Sequence, residues 1–170
     1  MAHKEPSSTH LDSRYSDPRA APGDWADAVT RLREAEVFWL STVRPDGRPH
    51  VTPLLAVWQR DTLYFSSGER ERKVLNLNGN REVVLTTGTN ALDEGHDIVI
   101  EGEAVRESDE ARLRELAALW ECKYGSDWRF EVRDGAFADP HGAALVFGVT
   151  PRTVFGFAKS PYGQTRWRFS

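Results

Sequence analysis

Two runs rich in β-branched and aromatic residues, 37–43 (Val-Phe-Trp-Leu-Ser-Thr-Val) and 49–58, flank the segment Arg44-Pro45-Asp46-Gly47-Arg48. Proline presets φ at one turn position and glycine accepts a positive φ at another, so this punctuation between two strand-like runs specifies a β-hairpin. A lone hairpin is marginal in water and needs partners on its apolar face. The rest of the chain supplies them. Gln59-Arg60-Asp61 turns into a strand over 62–66, and a short polar helix over 69–77 ends at Asn78-Gly79-Asn80. Further strands are expected over 82–87 and 97–106, a pair over 143–150 and 153–159 turning at Pro151-Arg152, and a last one over 165–169. Asp24 caps a helix with Trp25, Val29 and Leu32 on one face. Ser108 caps another, whose Leu113, Leu116, Ala117 and Trp120 share a stripe. The Gly- and Asp-rich span 123–140, with Trp128, Phe130 and Phe137 interspersed, reads as a long, partly packed loop. Six to seven antiparallel strands with two to three helices make a mainly β (α+β) protein, a small barrel with flanking helices. Regular crossover helices, a G-x-G-x-x-G turn and a Walker A loop are all missing, which argues against a doubly wound parallel sheet.

Residues 1–23 lack apolar periodicity and read as a flexible N-terminal tail, leaving 24–170 as the domain. Their His3 and His10 are too sparse for a metal site. A net charge of -4 argues against nucleic acid as an obligate partner, since phosphate binding ordinarily leaves a basic excess. The single cysteine, Cys122, can form no internal disulfide and no cysteine-based zinc site. No apolar run approaches the roughly 20 residues that span a bilayer, and the first residues are polar rather than signal-like, so a cytoplasmic protein without a membrane partner is expected. His96, in Asp93-Glu94-Gly95-His96-Asp97, lacks repeated ligand spacing and reads as part of a polar loop, so no metal is expected.

Chemistry concentrates in Ser66-Ser67-Gly68-Glu69-Arg70-Glu71-Arg72-Lys73. Two hydroxyls at a strand end, a glycine and a guanidinium-ammonium pair opening a helix suit a terminal phosphate. The segment also reads as a solvated helix start, because Glu69 and Glu71 offset the charge locally.

From residue 38 to residue 87 the sequence resembles the pyridoxamine 5'-phosphate oxidase-like family of FMN-binding split barrels. The resemblance is carried by Arg44-Pro45-Asp46-Gly47-Arg48-Pro49, by His50-Val51-Thr52-Pro53-Leu54, by Leu63-Tyr64-Phe65-Ser66-Ser67 and by the stretch from Arg72-Lys73 to Leu85, in that order. It continues more loosely through 98–106 to the C-terminal Gln164-Thr165-Arg166-Trp167-Arg168-Phe169.

The resemblance implies a split barrel and a homodimer with two cofactors at the subunit interface. It implies that Arg72, Lys73 and Ser66, with Ser67 beside it, hold a flavin phosphate, and that the backbone of Val51, Thr52, Pro53 and Leu54 lies along the isoalloxazine edge. Arg168 falls where the family has an arginine that reaches the flavin from the other chain, and Trp167 beside it is expected against cofactor or substrate. In the vitamin B6 oxidases an arginine and a histidine hold the substrate where Gln164 and Arg166 stand here, which argues against pyridoxamine-phosphate oxidation itself. The expected function is hydride transfer between FMN and a small organic substrate or a nicotinamide donor. Coenzyme F420 on the same fold is one alternative, and a non-catalytic flavin- or haem-binding module is another. No side chain stands out as acid, base or nucleophile, as expected where a cofactor carries the chemistry. His50 is the one titratable group near the proposed ring site. Trp39 and Trp58, as strand aromatics, read as core or interface anchors.

Overall fold

The computed structural model describes residues 4–139 and 142–170, so His3 and Pro140 lie outside it. In chain order the elements are β1 (Ser8–Leu11), α1 (Trp25–Glu34), β2 (Phe38–Val43), β3 (Pro49–Leu54), β4 (Ala56–Gln59), β5 (Thr62–Gly68), α2 (Arg72–Leu77), β6 (Glu82–Thr87), β7 (His96–Glu107), α3 (Glu110–Tyr124), β8 (Glu131–Arg133), β9 (Ala136–Asp139), β10 (Gly142–Lys159) and β11 (Tyr162–Arg168). The strands run in the order β1-β11-β10-β7-β6-β2-β3, with β5 and β9 also on β10, β4 on β5 and β8 on β9, and all pair antiparallel. This is a mainly β, open split barrel with three flanking α-helices.

β10 is the hub. Its first half pairs with β5, its second half with β11, and β7 runs along its other edge throughout. The change of partner falls at a register shift between Pro151 and Thr153. Proline has no ladder donor and sits best at such a bulge, which bends the strand and lets the sheet fork. The expected turn at Pro151-Arg152 is therefore a bulge inside one strand, and the reversal comes later, at residues 160–161.

Period-two alternation then sorts the side chains. Leu40, Leu85, Ile100, Val154 and Trp167 stand in register across five strands and face inward, all buried. The apolar stripe of α1, Trp25, Val29 and Leu32, closes over this core. Each such side chain contributes roughly 1.5–3 kcal/mol by leaving water. α3 builds a second core on the other side of β4, β5 and β10, joining Leu113, Leu116 and Trp120 to Val57, Tyr64, Phe137 and Val146.

The eleven strands among the described residues exceed the six or seven expected, for local reasons. The presumed tail puts Ser8–Leu11 against β11 (Ser8 opposite Arg168, Leu11 opposite Thr165), so it is an edge strand held by backbone pairing rather than by apolar periodicity. The presumed loop over 123–140 contains the hairpin β8–β9, whose Asp134 and Gly135 both take positive φ (53° and 68°). Asp-Gly is a strong two-residue hairpin signal and was legible. Asp24 caps α1 as expected, accepting from Ala26 and Asp27 N–H at 2.7 and 3.1 Å. α3 starts one residue late, capped by Asp109, which accepts from Arg112 N–H at 2.8 Å, and not by Ser108.

Candidate cofactor site

β3 ends the sheet, pairing only with β2 among the described strands. Alternation puts Val51 and Pro53 on its outer face, Val51 53% exposed, and turns His50, Thr52 and Leu54 toward the barrel interior opposite Thr42, Leu40 and Phe38. Leu54 packs against the main core. The Thr52 hydroxyl is buried without a hydrogen-bond partner. An unpaired buried polar atom is costly, and such atoms gather where a ligand or water completes the structure.

α2 lies over this end of the barrel. The Asn76 side-chain amide donates to Thr42 Oγ1 at 2.9 Å, and Thr42 Oγ1 lies 3.4 Å from His50 Nδ1. Asn76 Oδ1 is buried and unpartnered, a second orphan beside the first strand pair. Lys73, the residue before Val74 in the helix, is buried, its side chain only 10% exposed. Arg72 precedes it and is exposed, without an ion-pair partner among the described residues. His50 feels this cluster: burial lowers its pKa first, and the positive charges of Arg44, Lys73 and Arg72 lower it further. The basic pair and the inner edge of β3 thus share one electrostatic neighbourhood, although His50 and Arg72 stand 22 positions apart.

The two serines part company. On β5, Leu63 and Phe65 face the main core and Tyr64 faces the second, so alternation directs buried Ser67 inward and half-buried Ser66 toward the α3 side. Ser67 is the serine on the side of Glu71, whose pKa its hydroxyl helps to lower, and its own hydrogen bond runs to Gly68 O at 3.5 Å. Glu71 itself is the site residue that charge counting undervalued: its Oε1 accepts from Gly68 N–H at 3.0 Å, and its Oε2 pairs with the Lys73 ammonium. α2 has only six residues and its N-cap makes no side-chain cap bond, so the candidate site is built from side chains rather than from the helix end. Thr42 and Asn76 were not singled out from sequence. They are polar positions in apolar runs, the one available sign.

Trp167 is not a cofactor wall. It is 2% exposed in the core, its ring 5.6 Å from that of Trp25, and a Cβ on Gly156 would come within 2.6 Å of it. Register explains the correction: Trp167 stands opposite Val154 in the inward row, so its neighbours Arg166 and Arg168 must face out. Arg168 is exposed there, opposite Thr153 and Ser8. Trp58 is a core residue as expected, whereas Trp39 is 50% exposed on the outer face.

A family model described as pyridoxamine 5'-phosphate oxidase matches residues 25–157. Among solved structures, General Stress Protein 26 from Bacillus anthracis is 24% identical with a TM-score of 0.59, covering 79% of this chain and 92% of its own. An FAD-binding protein from Mesorhizobium loti is 16% identical with a TM-score of 0.61, covering 85% of this chain and 94% of its own. The heme storage protein HutZ from Vibrio cholerae is 17% identical with a TM-score of 0.60, covering 79% of this chain and 94% of its own. No curated protein matches the sequence. Identities this low show a shared fold, whereas the family match spans most of the chain, including β2, β3, β5 and α2: the chain belongs to the pyridoxamine 5'-phosphate oxidase family.

Proposed function

We propose that this chain is a flavin-dependent oxidoreductase that binds FMN at an interface between two copies of itself and exchanges hydride with a small organic substrate or a nicotinamide donor. One observation carries the reading: a buried ammonium, Lys73, and a free guanidinium, Arg72, lie beside an edge strand whose inward Thr52 hydroxyl lacks a partner. The residues present fit a phosphorylated flavin. Two cations answer a phosphate, and the orphaned Thr52 Oγ1 and Asn76 Oδ1 offer hydrogen-bonding capacity that protein groups leave unused. When bound, the flavin supplies the redox chemistry. The protein's part is to hold the phosphate through Arg72 and Lys73, to present the Val51–Leu54 backbone to the ring edge and to keep the inner face dry.

Two copies enter because the outer face carries an apolar row open to solvent, with Ser41 and exposed Glu101 interrupting the row beside it. Pro53, Trp39, Thr86, Val99 and Phe155 stand in register across it, with Val51 and Val84 one row along and Arg166 and Arg168 beyond. Exposed Trp39, Val51 and Pro53 beside half-buried Val84, Val99 and Phe155 are the kind of apolar surface that association covers. FAD binding and heme storage among structures of the same fold support a cofactor-binding role in general.

The test is Arg72→Ala combined with Lys73→Ala. Charge-assisted contacts to phosphate are each worth about 1.5–3 kcal/mol, so the pair should weaken FMN binding by roughly two to four orders of magnitude in a fluorescence titration. Unchanged affinity sinks the assignment. Parallel titrations with FAD and coenzyme F420 rank the cofactors. A heme storage protein among the structures of the same fold supports a second reading: a module that binds its cofactor without turnover. Anaerobic mixing with reduced nicotinamide separates the two, because a module without turnover leaves the bound flavin oxidised.

A further inference from the structure

The inference rests on the reading of Arg72 and Lys73 as the phosphate-binding pair and concerns the residue between Gly68 and those cations. Glu71 stands at the N-cap of α2, yet its carboxylate makes no cap bond to that helix. It turns back instead. Oε1 takes the Gly68 amide at 3.0 Å, Oε2 takes the Lys73 ammonium, and the Ser67 hydroxyl helps hold the same group. An ammonium, a backbone amide and a hydroxyl converging on two oxygens are the donors that a phosphate monoester would use, and here a side-chain anion uses them.

We propose that Glu71 is a built-in competitor of the cofactor's phosphate: binding of a phosphate monoester at Lys73, Ser67 and Gly68 proceeds by anion exchange, with the Glu71 carboxylate displaced into solvent. Like charges cannot share the Lys73 ammonium at contact without strong repulsion in a partly buried site. The arrangement is built to release. Glu71's side chain is 53% exposed and can swing into water, whereas Lys73 is fixed by its burial. Because Glu71 caps nothing in α2, its departure leaves the helix intact. The resident carboxylate also spares Lys73 the cost of an unpaired buried charge in the free protein. The net effect is selectivity for occupants that offer more than one negative charge, since only a dianion regains what the exchange gives up.

Burial alone would raise the Glu71 pKa, but Lys73, the Gly68 amide and Ser67 together hold it below the ordinary carboxylate value of 4.5, so the competitor stays charged at neutral pH. The test compares FMN with riboflavin, which shares the ring and lacks the phosphate, on the full chain and Glu71→Gln. Glutamine keeps the shape and removes the charge. We expect FMN to bind about tenfold more tightly to E71Q while riboflavin binding is unchanged; inorganic phosphate should likewise raise the melting temperature of E71Q more than that of the parent. Equal or weaker FMN binding to E71Q overturns the inference, because Glu71 would then be organising Lys73 for the ligand rather than opposing it. Glu71→Asp, with a shorter reach, decides the matter should E71Q not fold: tighter FMN binding supports the exchange and weaker binding refutes it. The two readings fail separately. If the Arg72/Lys73 double variant loses FMN and E71Q does not gain it, only the exchange falls. If the double variant keeps FMN, the site itself falls.

Discussion

At the scale of single residues, the site is a contest among charges that a polar cleft would leave dispersed. His50 shows it. Its imidazole is half-buried against Thr42 and faces Arg44 on the strand end and Arg72 and Lys73 on α2, with the Glu71 carboxylate drawn onto Lys73. Burial and these cations lower its pKa below the ordinary 6.5, so the folded protein resists a proton that the unfolded chain accepts. Stability from His50 is therefore complete above pH 6.5 and drains away as the pH falls through the depressed folded value. His96 is lowered too, chiefly by burial. The prediction is that His50→Gln makes the loss of stability below pH 6.5, read as urea midpoints, shallower and leaves His96's share. A limb as steep in the variant as in the parent would disprove His50's part. Not every residue of the site was legible. Lys73 and Arg72 announce themselves as adjacent cations after a glycine. Ser66 and Ser67 look equivalent in the sequence, and only the side of β5 on which each falls tells them apart.

At the scale of elements, the C-terminal end of α3 is tied to the start of β4 by a hydroxyl and an ammonium. Tyr124 Oη accepts from Ala56 N–H at 3.1 Å and lies 2.9 Å from Glu36 O and 2.8 Å from Ala56 O. A phenol has a single proton to donate. Lys123 Nζ already donates to Ala56 O at 2.9 Å, so the Tyr124 proton serves Glu36 O and the three segments close into one knot. Burial pushes the Tyr124 pKa up to about 12, keeping the proton in place, and burial pulls Lys123 down to about 8. Tyr124→Phe strands the fully buried Ala56 amide and should cost about 1–3 kcal/mol in urea unfolding, with flavin affinity unchanged. A change below the error of the measurement would show that the knot contributes nothing. The stripe of α3 was readable because Leu113, Leu116 and Trp120 repeat at helical spacing. The knot was not, since it joins residues 68 positions apart.

At the scale of the whole molecule, one sheet has two faces with opposite fates. The inward row is closed by α1. The outward face, with Trp39 and Val51 about half exposed, is covered by no helix among the described residues. On the proposed two-copy assembly, Trp39→Glu should yield single chains by light scattering and weaken FMN binding at least tenfold, because a charge within the proposed interface would lose its water. Persistence of the larger species would place the interface elsewhere. The sequence by itself determined the hairpin at Pro45-Asp46-Gly47, most of the strands, the helix stripes and the basic pair, since turn chemistry and periodicity act over a few residues. Tertiary structure alone decided that Trp167 is core and Arg168 is not, that Ser67 rather than Ser66 turns inward, that Ser8–Leu11 pairs as an edge strand and that Glu71 lies on Lys73. Those outcomes depend on register and on which strands meet across β10, and shifting any pairing by one residue would exchange the two faces.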